Sequence, residues 1–237
     1  ASTRNILAVS RADIIIENGG GYDDFMEKLR DSGDNRDATV LNAVEISGKT
    51  AEGGGELNEH VWYDFDAMSR LTERLRDALV EVDPSHAEEF RTNAGRLVDE
   101  LHELTARAEQ IGSEHPDSTA AVTEPVPLYL LQTIGIEDRT PEAFSEAVEA
   151  GEDASPAVLA ETLALFDDDD AVDLLVVNSQ SRDDQTDKVV EAAHAHDVPV
   201  VPVAETLPAG KTYVSWMRAN VDAIATALAG RETGSGS

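Results

Sequence analysis

Leu174-Leu175-Val176-Val177-Asn178-Ser179-Gln180 is the stretch on which the fold turns. Four consecutive apolar residues, two of them β-branched, make a run too short for a buried helix. An uninterrupted apolar run also differs from the alternation of a strand with one wet face, so it reads as a strand covered on both sides. Such strands belong to parallel sheets with helices above and below. The run ends abruptly in three polar residues, which places hydrogen-bonding groups at a strand's carboxyl end.

Working outward, Val172–Val177 has two companions, Thr119–Thr123 and Val198–Val203. Between and after them, helical periodicity predicts helices over Pro125–Ile134, Pro141–Ala150, Pro156–Phe166, Asp183–His196 and Tyr213–Ala229. Pro125, Pro141 and Pro156 each suit a first helical turn, where a missing N–H is no loss. Asp167-Asp168-Asp169-Asp170 reads as a solvated loop before a strand.

The first half alternates in the same way. Asp13–Glu17 is a β-branched run followed by the turn Gly19-Gly20-Gly21, Tyr22–Leu29 suits a helix ending near Gly33, and Ala38–Val44 reads as a second strand. Ser47–Glu56 is a glycine-rich loop leading to His60. Phe65–Val82 then carries apolar positions at helical spacing and stops before Pro84. The next helix runs to about Ile111, with Phe90, Ala94, Leu97, Leu101, Leu104, Ala108 and Ile111 stepping by four and three. That seam fits either a coiled-coil dimer or an internal strut, and the strut is preferred because helices and strands resume on both sides. The expected division is an N-terminal lobe over 1–82, a linking helix over 83–112, a C-terminal lobe over 113–230 and a flexible tail over 231–237.

With 48 acidic residues against 18 basic ones, the formal charge is −30. That field disfavours nucleic acid and anionic membrane surfaces, both of which require clustered Lys and Arg. Most of these carboxylates are expected to be solvated surface. No apolar stretch approaches the ~18–20 residues of a membrane-spanning helix. The absence of cysteine rules out disulfides, zinc fingers and thiolate metal sites. GxSxG, P-loop, GxGxxG and HExxH signatures are also missing.

Chemistry is expected instead at three irregular points. His60 lies in Asn58-Glu59-His60-Val61-Trp62-Tyr63-Asp64, Glu124 follows one strand and Glu205 follows another. Ligands in open α/β sheets bind beyond the carboxyl ends of strands. One imidazole and two carboxylates, if they converge, make a mixed nitrogen/oxygen set suited to Mn²⁺ or Zn²⁺. Each has a bland reading beside this one: Glu124 as a cap or surface residue, His60 as an exposed loop histidine, Glu205 as part of a turn. The other five histidines read as structural or solvent-facing.

The order of segments Ser10-Arg11-Ala12-Asp13-Ile14-Ile15-Ile16-Glu17-Asn18-Gly19, His60-Val61-Trp62-Tyr63-Asp64, Thr123-Glu124-Pro125 and Trp216-Met217-Arg218-Ala219-Asn220-Val221 resembles the metal-binding solute receptors of bacterial ABC importers for zinc and manganese. The likeness runs through nearly all of residues 1–230. It implies two Rossmann-like α/β lobes joined by one long rigid helix, with the cation in the cleft between them. It implies that His60, Glu124 and Glu205 match the second, third and fourth ligand positions. It further implies that the family's first strand, helix and ligand histidine would precede Ala1, together with an export signal and a lipid-bearing anchor. The expected protein is therefore a non-enzymatic, extracytoplasmic, monomeric receptor that delivers Mn²⁺ or Zn²⁺ to a membrane permease. A metal-dependent hydrolase and a surface adhesion protein on the same scaffold are the alternatives.

Overall fold

The computed structural model describes residues 2–51, 56–167 and 171–234. Two compact units divide the chain, Ala1–Glu103 and Leu104–Ser237. Their boundary falls inside a single helix.

In the first unit, α1 (Thr3–Val9) precedes β1 (Ile14–Glu17), α2 (Phe25–Gly33), β2 (Thr39–Asn42), α3 (Ala43–Ser47) and α4 (Phe65–Val82). β1 and β2 are parallel, with Ile14 opposite Thr39 and Glu17 opposite Asn42. The turn after β1 has left-handed backbone at Gly19, Gly20 and Gly21, where side chains are strained. The Asp23 carboxylate closes it by accepting from the backbone N–H groups of Asn18 and Gly19, both at 2.8 Å. Ile15, Leu29, Leu41, Val61, Tyr63 and Phe65 form the buried interior. Tyr63 and Phe65, at 0% and 1% exposed, each contribute about 2–3 kcal/mol by leaving water.

Two expectations for this unit need correction. The strand predicted over Ala38–Val44 stops at Asn42, whose side chain accepts from Glu45 N at 3.0 Å and so starts α3. That local cap outcompetes the apolar run that follows it. α1 has no counterpart in the sequence reading, and it buries no residue that would have produced an apolar stripe.

α5 (Ala87–Glu114) follows α4 after a 3₁₀ turn over Pro84–His86. Its 28 residues span about 42 Å. Along the predicted seam, Leu101, Leu104, Ala108 and Ile111 are buried while Phe90 and Leu97 are only partly so.

The second unit continues with β3 (Thr119–Val122), α6 (Leu128–Ile134), β4 (Glu137–Asp138), α7 (Glu142–Glu149), α8 (Pro156–Ala164), β5 (Leu174–Asn178), α9 (Asp184–Ala195), β6 (Val200–Val203) and α10 (Tyr213–Gly234). The sheet is parallel, in the order β4-β3-β5-β6. Ala121 and Leu175 join Phe144, Val148, Phe166, Val189 and Ala193 in one hydrophobic core. Side chains alternate along a strand, so Ala120, Val122, Leu174 and Val176 face the other way, and all four are at most 1% exposed. Burial on both faces is what the unbroken apolar run required.

Of the three prolines, only Pro156 lies in a first helical turn. Pro141 is the residue before α7, and α6 begins at Leu128 after Pro127. α10 extends to Gly234, so 231–234 is helical where a tail was expected. Three residues of the aspartate run, 168–170, the loop positions 52–55 and the terminal 235–237 lie outside the described residues.

Candidate metal centre

β3, β5 and β6 are adjacent and parallel, so their carboxyl ends share one edge. Val122 pairs with Val176 and Asn178 with Val203. Thr123 extends the ladder: its N–H donates to Val176 O at 3.1 Å and its Oγ1 accepts from Asn178 N at 3.1 Å. Ser179 N donates to Val203 O at 2.7 Å, which ties the third strand end into the same edge. Glu124 follows Thr123, and Glu205 follows β6 by two residues.

Asn178 brings these two carboxylates together. Its Nδ2 donates to Glu124 Oε2 at 2.7 Å and to Glu205 Oε2 at 3.2 Å. Its Oδ1 accepts from Gln180 N at 3.0 Å, which fixes which way the amide faces. Glu124 is 4% exposed and Asn178 3%. The second carboxylate oxygen, Glu124 Oε1, is buried and has no hydrogen-bond partner among the described residues. An acceptor left in that state costs about 1–3 kcal/mol, more when charged. A cation bound at that oxygen would remove the penalty.

His60 belongs to the first unit. It precedes a 3₁₀ turn over Val61–Tyr63, after which Asp64 caps α4 by accepting from Ala67 N at 3.0 Å. Lys49 Nζ pairs with the same Asp64 carboxylate at 2.6 Å, and Arg70 donates to Ser47 O at 3.0 Å, which anchors the preceding segment. Asn58 Oδ1 accepts from His60 N at 3.1 Å and lies 2.8 Å from Nδ1. An amide oxygen only accepts, so the neutral ring carries its proton on Nδ1 and its lone pair on Nε2. The ring is 2% exposed and packs edge-on against Trp62 at 4.9 Å and Tyr22 at 6.0 Å.

Within the second unit Glu124 and Glu205 are brought together, and His60 belongs to the first unit. Sequence reasoning singled out all three but gave no role to Asn178 or Asn58. Asn178 stood out only as a polar residue closing a buried strand, and Asn58 only by its place two residues before a candidate imidazole.

Solved structures define the class to which this architecture belongs. The periplasmic zinc binding protein TroA from Treponema pallidum matches with a TM-score of 0.76 at 20% identity, covering 96% of this chain and 85% of that one. FpvC from Pseudomonas aeruginosa, in complex with Mn²⁺, matches with a TM-score of 0.75 at 21% identity, covering 98% and 85%. At those identities the likeness establishes the fold alone. The family model for the zinc-uptake complex component A, periplasmic, matches residues 1–227, and the chain belongs to that family. The manganese-binding lipoprotein MntA of Halalkalibacterium halodurans is 26% identical over 235 residues, spanning 93% of this chain and 73% of its own length. The iron-binding protein YfeA of Yersinia pestis is 31% identical over 105 residues, which are 44% of this chain and 34% of that protein.

Proposed function

We propose that this chain is an extracytoplasmic receptor that captures a divalent transition-metal cation, Mn²⁺ or Zn²⁺, and hands it to the permease of an ABC importer. His60 supplies an imidazole nitrogen, and Glu124 and Glu205 supply oxygens. The observation that carries the reading is the buried, unpartnered Glu124 Oε1 beside a second carboxylate. Two carboxylates held together by one amide donor form a site that gains from a cation. The family match supports the transport role, and no described helix is long and apolar enough to cross a membrane. A separate membrane permease is the corresponding partner. The lipoprotein relative supports attachment at the outer membrane face.

A mixed imidazole and carboxylate set accommodates Mn²⁺, while Zn²⁺ stands above it in intrinsic affinity for nearly any such ligands. Both ions therefore bind in solution. Titration calorimetry with Mn²⁺ and Zn²⁺ tests the ligand assignment. Glu124→Gln and Glu205→Gln are expected to weaken binding about 10–100-fold while the protein stays folded. Unchanged affinity in both variants would overturn the assignment.

A further inference from the structure

Asn178 does more than bridge two strand ends. Its amide hydrogens occupy Oε2 of Glu124 and Oε2 of Glu205, at 2.7 and 3.2 Å. Rotating the amide by half a turn would put its oxygen against two carboxylates and its NH₂ against the Gln180 N–H, now 3.0 Å from Oδ1. The backbone N–H is held by Thr123 Oγ1, and the residue is 3% exposed. The donor therefore has one orientation and little room to leave it. One oxygen of each carboxylate is engaged by a group that cannot coordinate a metal.

We propose that Asn178 is a selectivity-determining positioning residue, which favours one-oxygen ligation by Glu124 and Glu205 and so disfavours Ca²⁺. The inference rests on the ligand reading above. Ca²⁺ takes six to eight oxygens and commonly uses both oxygens of a carboxylate. Zn²⁺ is satisfied by about four ligands, each carboxylate giving one oxygen at ~2.0–2.2 Å, and Mn²⁺ by about six, so neither needs the second carboxylate oxygens that fill out the larger Ca²⁺ shell. A carboxylate whose second oxygen already accepts a fixed N–H serves the transition metal well and chelates Ca²⁺ poorly. A neutral amide at this position also avoids a third carboxylate, which would raise the oxygen count and the charge toward what Ca²⁺ prefers.

The test is calorimetric titration of the protein and its variants with Mn²⁺ and with Ca²⁺, alongside circular-dichroism melts. Asn178→Asp keeps the shape and the acceptor for Gln180 N but replaces the donor by an oxygen. Asn178→Ala removes both. Mn²⁺ affinity is expected to fall about tenfold or more in each. The ratio of Ca²⁺ to Mn²⁺ affinity is expected to rise in both, and further in Asn178→Asp. If Asn178→Ala does not fold, the near-isosteric Asn178→Asp decides. A Ca²⁺ to Mn²⁺ ratio equal to that of the unaltered protein, whether affinity is kept or lost, would overturn the proposal. Glu124→Gln and Glu205→Gln separate the two levels. Loss of Mn²⁺ binding there with an unmoved ratio in Asn178→Asp defeats only the role of Asn178, whereas intact Mn²⁺ binding there defeats the ligand assignment itself.

Discussion

Gln180 and Thr206 exchange hydrogen bonds across two strand ends. Gln180 Oε1 accepts from Thr206 N at 2.8 Å, and Gln180 Nε2 donates to Thr206 Oγ1 at 2.9 Å. A side chain just beyond β5 thereby holds the loop that carries Glu205. Both residues are exposed, so the pair contributes little to global stability, but it limits where the Glu205 carboxylate can go.

Gln180→Ala is accordingly expected to weaken Mn²⁺ or Zn²⁺ binding while leaving the melting temperature nearly unchanged. Losing about 1 kcal/mol of loop-ordering hydrogen bonds corresponds to about fivefold in affinity. Calorimetry and a thermal melt on the same sample check this. An unchanged affinity would mean that the loop is held by other contacts.

The Asn58 contact to His60 Nδ1 makes a second prediction. A hydrogen-bond acceptor on the far ring nitrogen fixes the tautomer and strengthens the other nitrogen as a ligand, and removing one typically costs about 10–100-fold in metal affinity. Asn58→Ala is expected to show that loss. Asn58→Asp retains an acceptor for Nδ1–H and should bind at least as tightly as the unaltered protein. Equal binding in Asn58→Ala would indicate that the aromatic packing of Tyr22 and Trp62 orients the ring without it.

How much of this was legible in the sequence depended on whether a signal was local. α4 was readable because its apolar positions keep helical spacing and Pro84 stops it, and both signals lie within the helix's own neighbourhood. The strand Leu174–Asn178 was readable because burial on both faces leaves an unbroken apolar run. α3 was not, since a cap at Asn42 and an apolar strand ending there look alike until the backbone turns. Glu124 and Glu205 could be picked out by position after strands, but the bridge between them could not. Asn178 reaches both only because β3, β5 and β6 are neighbours in one register, and that adjacency is a tertiary fact. His60 was visible as a residue, whereas its tautomer depended on the conformation of Asn58.

Gly112 shows the same limit and yields a third prediction. In an exposed helix interior, Gly→Ala gains about 1 kcal/mol. In α5, a Cβ at Gly112 would overlap the carbonyl oxygen of Ile134, at the end of α6. The overlapped atom is backbone and cannot swing aside. Gly112→Ala is expected to destabilise the protein by about 2 kcal/mol, as overpacking does, and to lower the melting temperature by about 5 °C. Gly95, where a Cβ meets nothing within 4 Å, is the control, and Gly95→Ala should not destabilise. Equal melting temperatures for the two variants would count against the close helix approach.

Asp138 in β4 gives a prediction in pH. Burial raises its carboxyl above the ordinary value of 3.8, and the N–H and hydroxyl of Thr140, at 3.0 and 2.7 Å, oppose that rise only in part. The unfolded chain therefore releases this proton at lower pH than the folded one. Its contribution to stability is complete below about pH 3.8 and is lost as pH rises through the folded value. Asp138→Asn keeps an oxygen to accept from Thr140 and has no charge to bury. The variant should match the unaltered protein in acid and melt at a higher temperature at neutral pH. Thermal melts from pH 3.5 to 7.5 would show the two curves diverging as pH increases, and parallel curves would mean that ionising Asp138 carries no folding penalty.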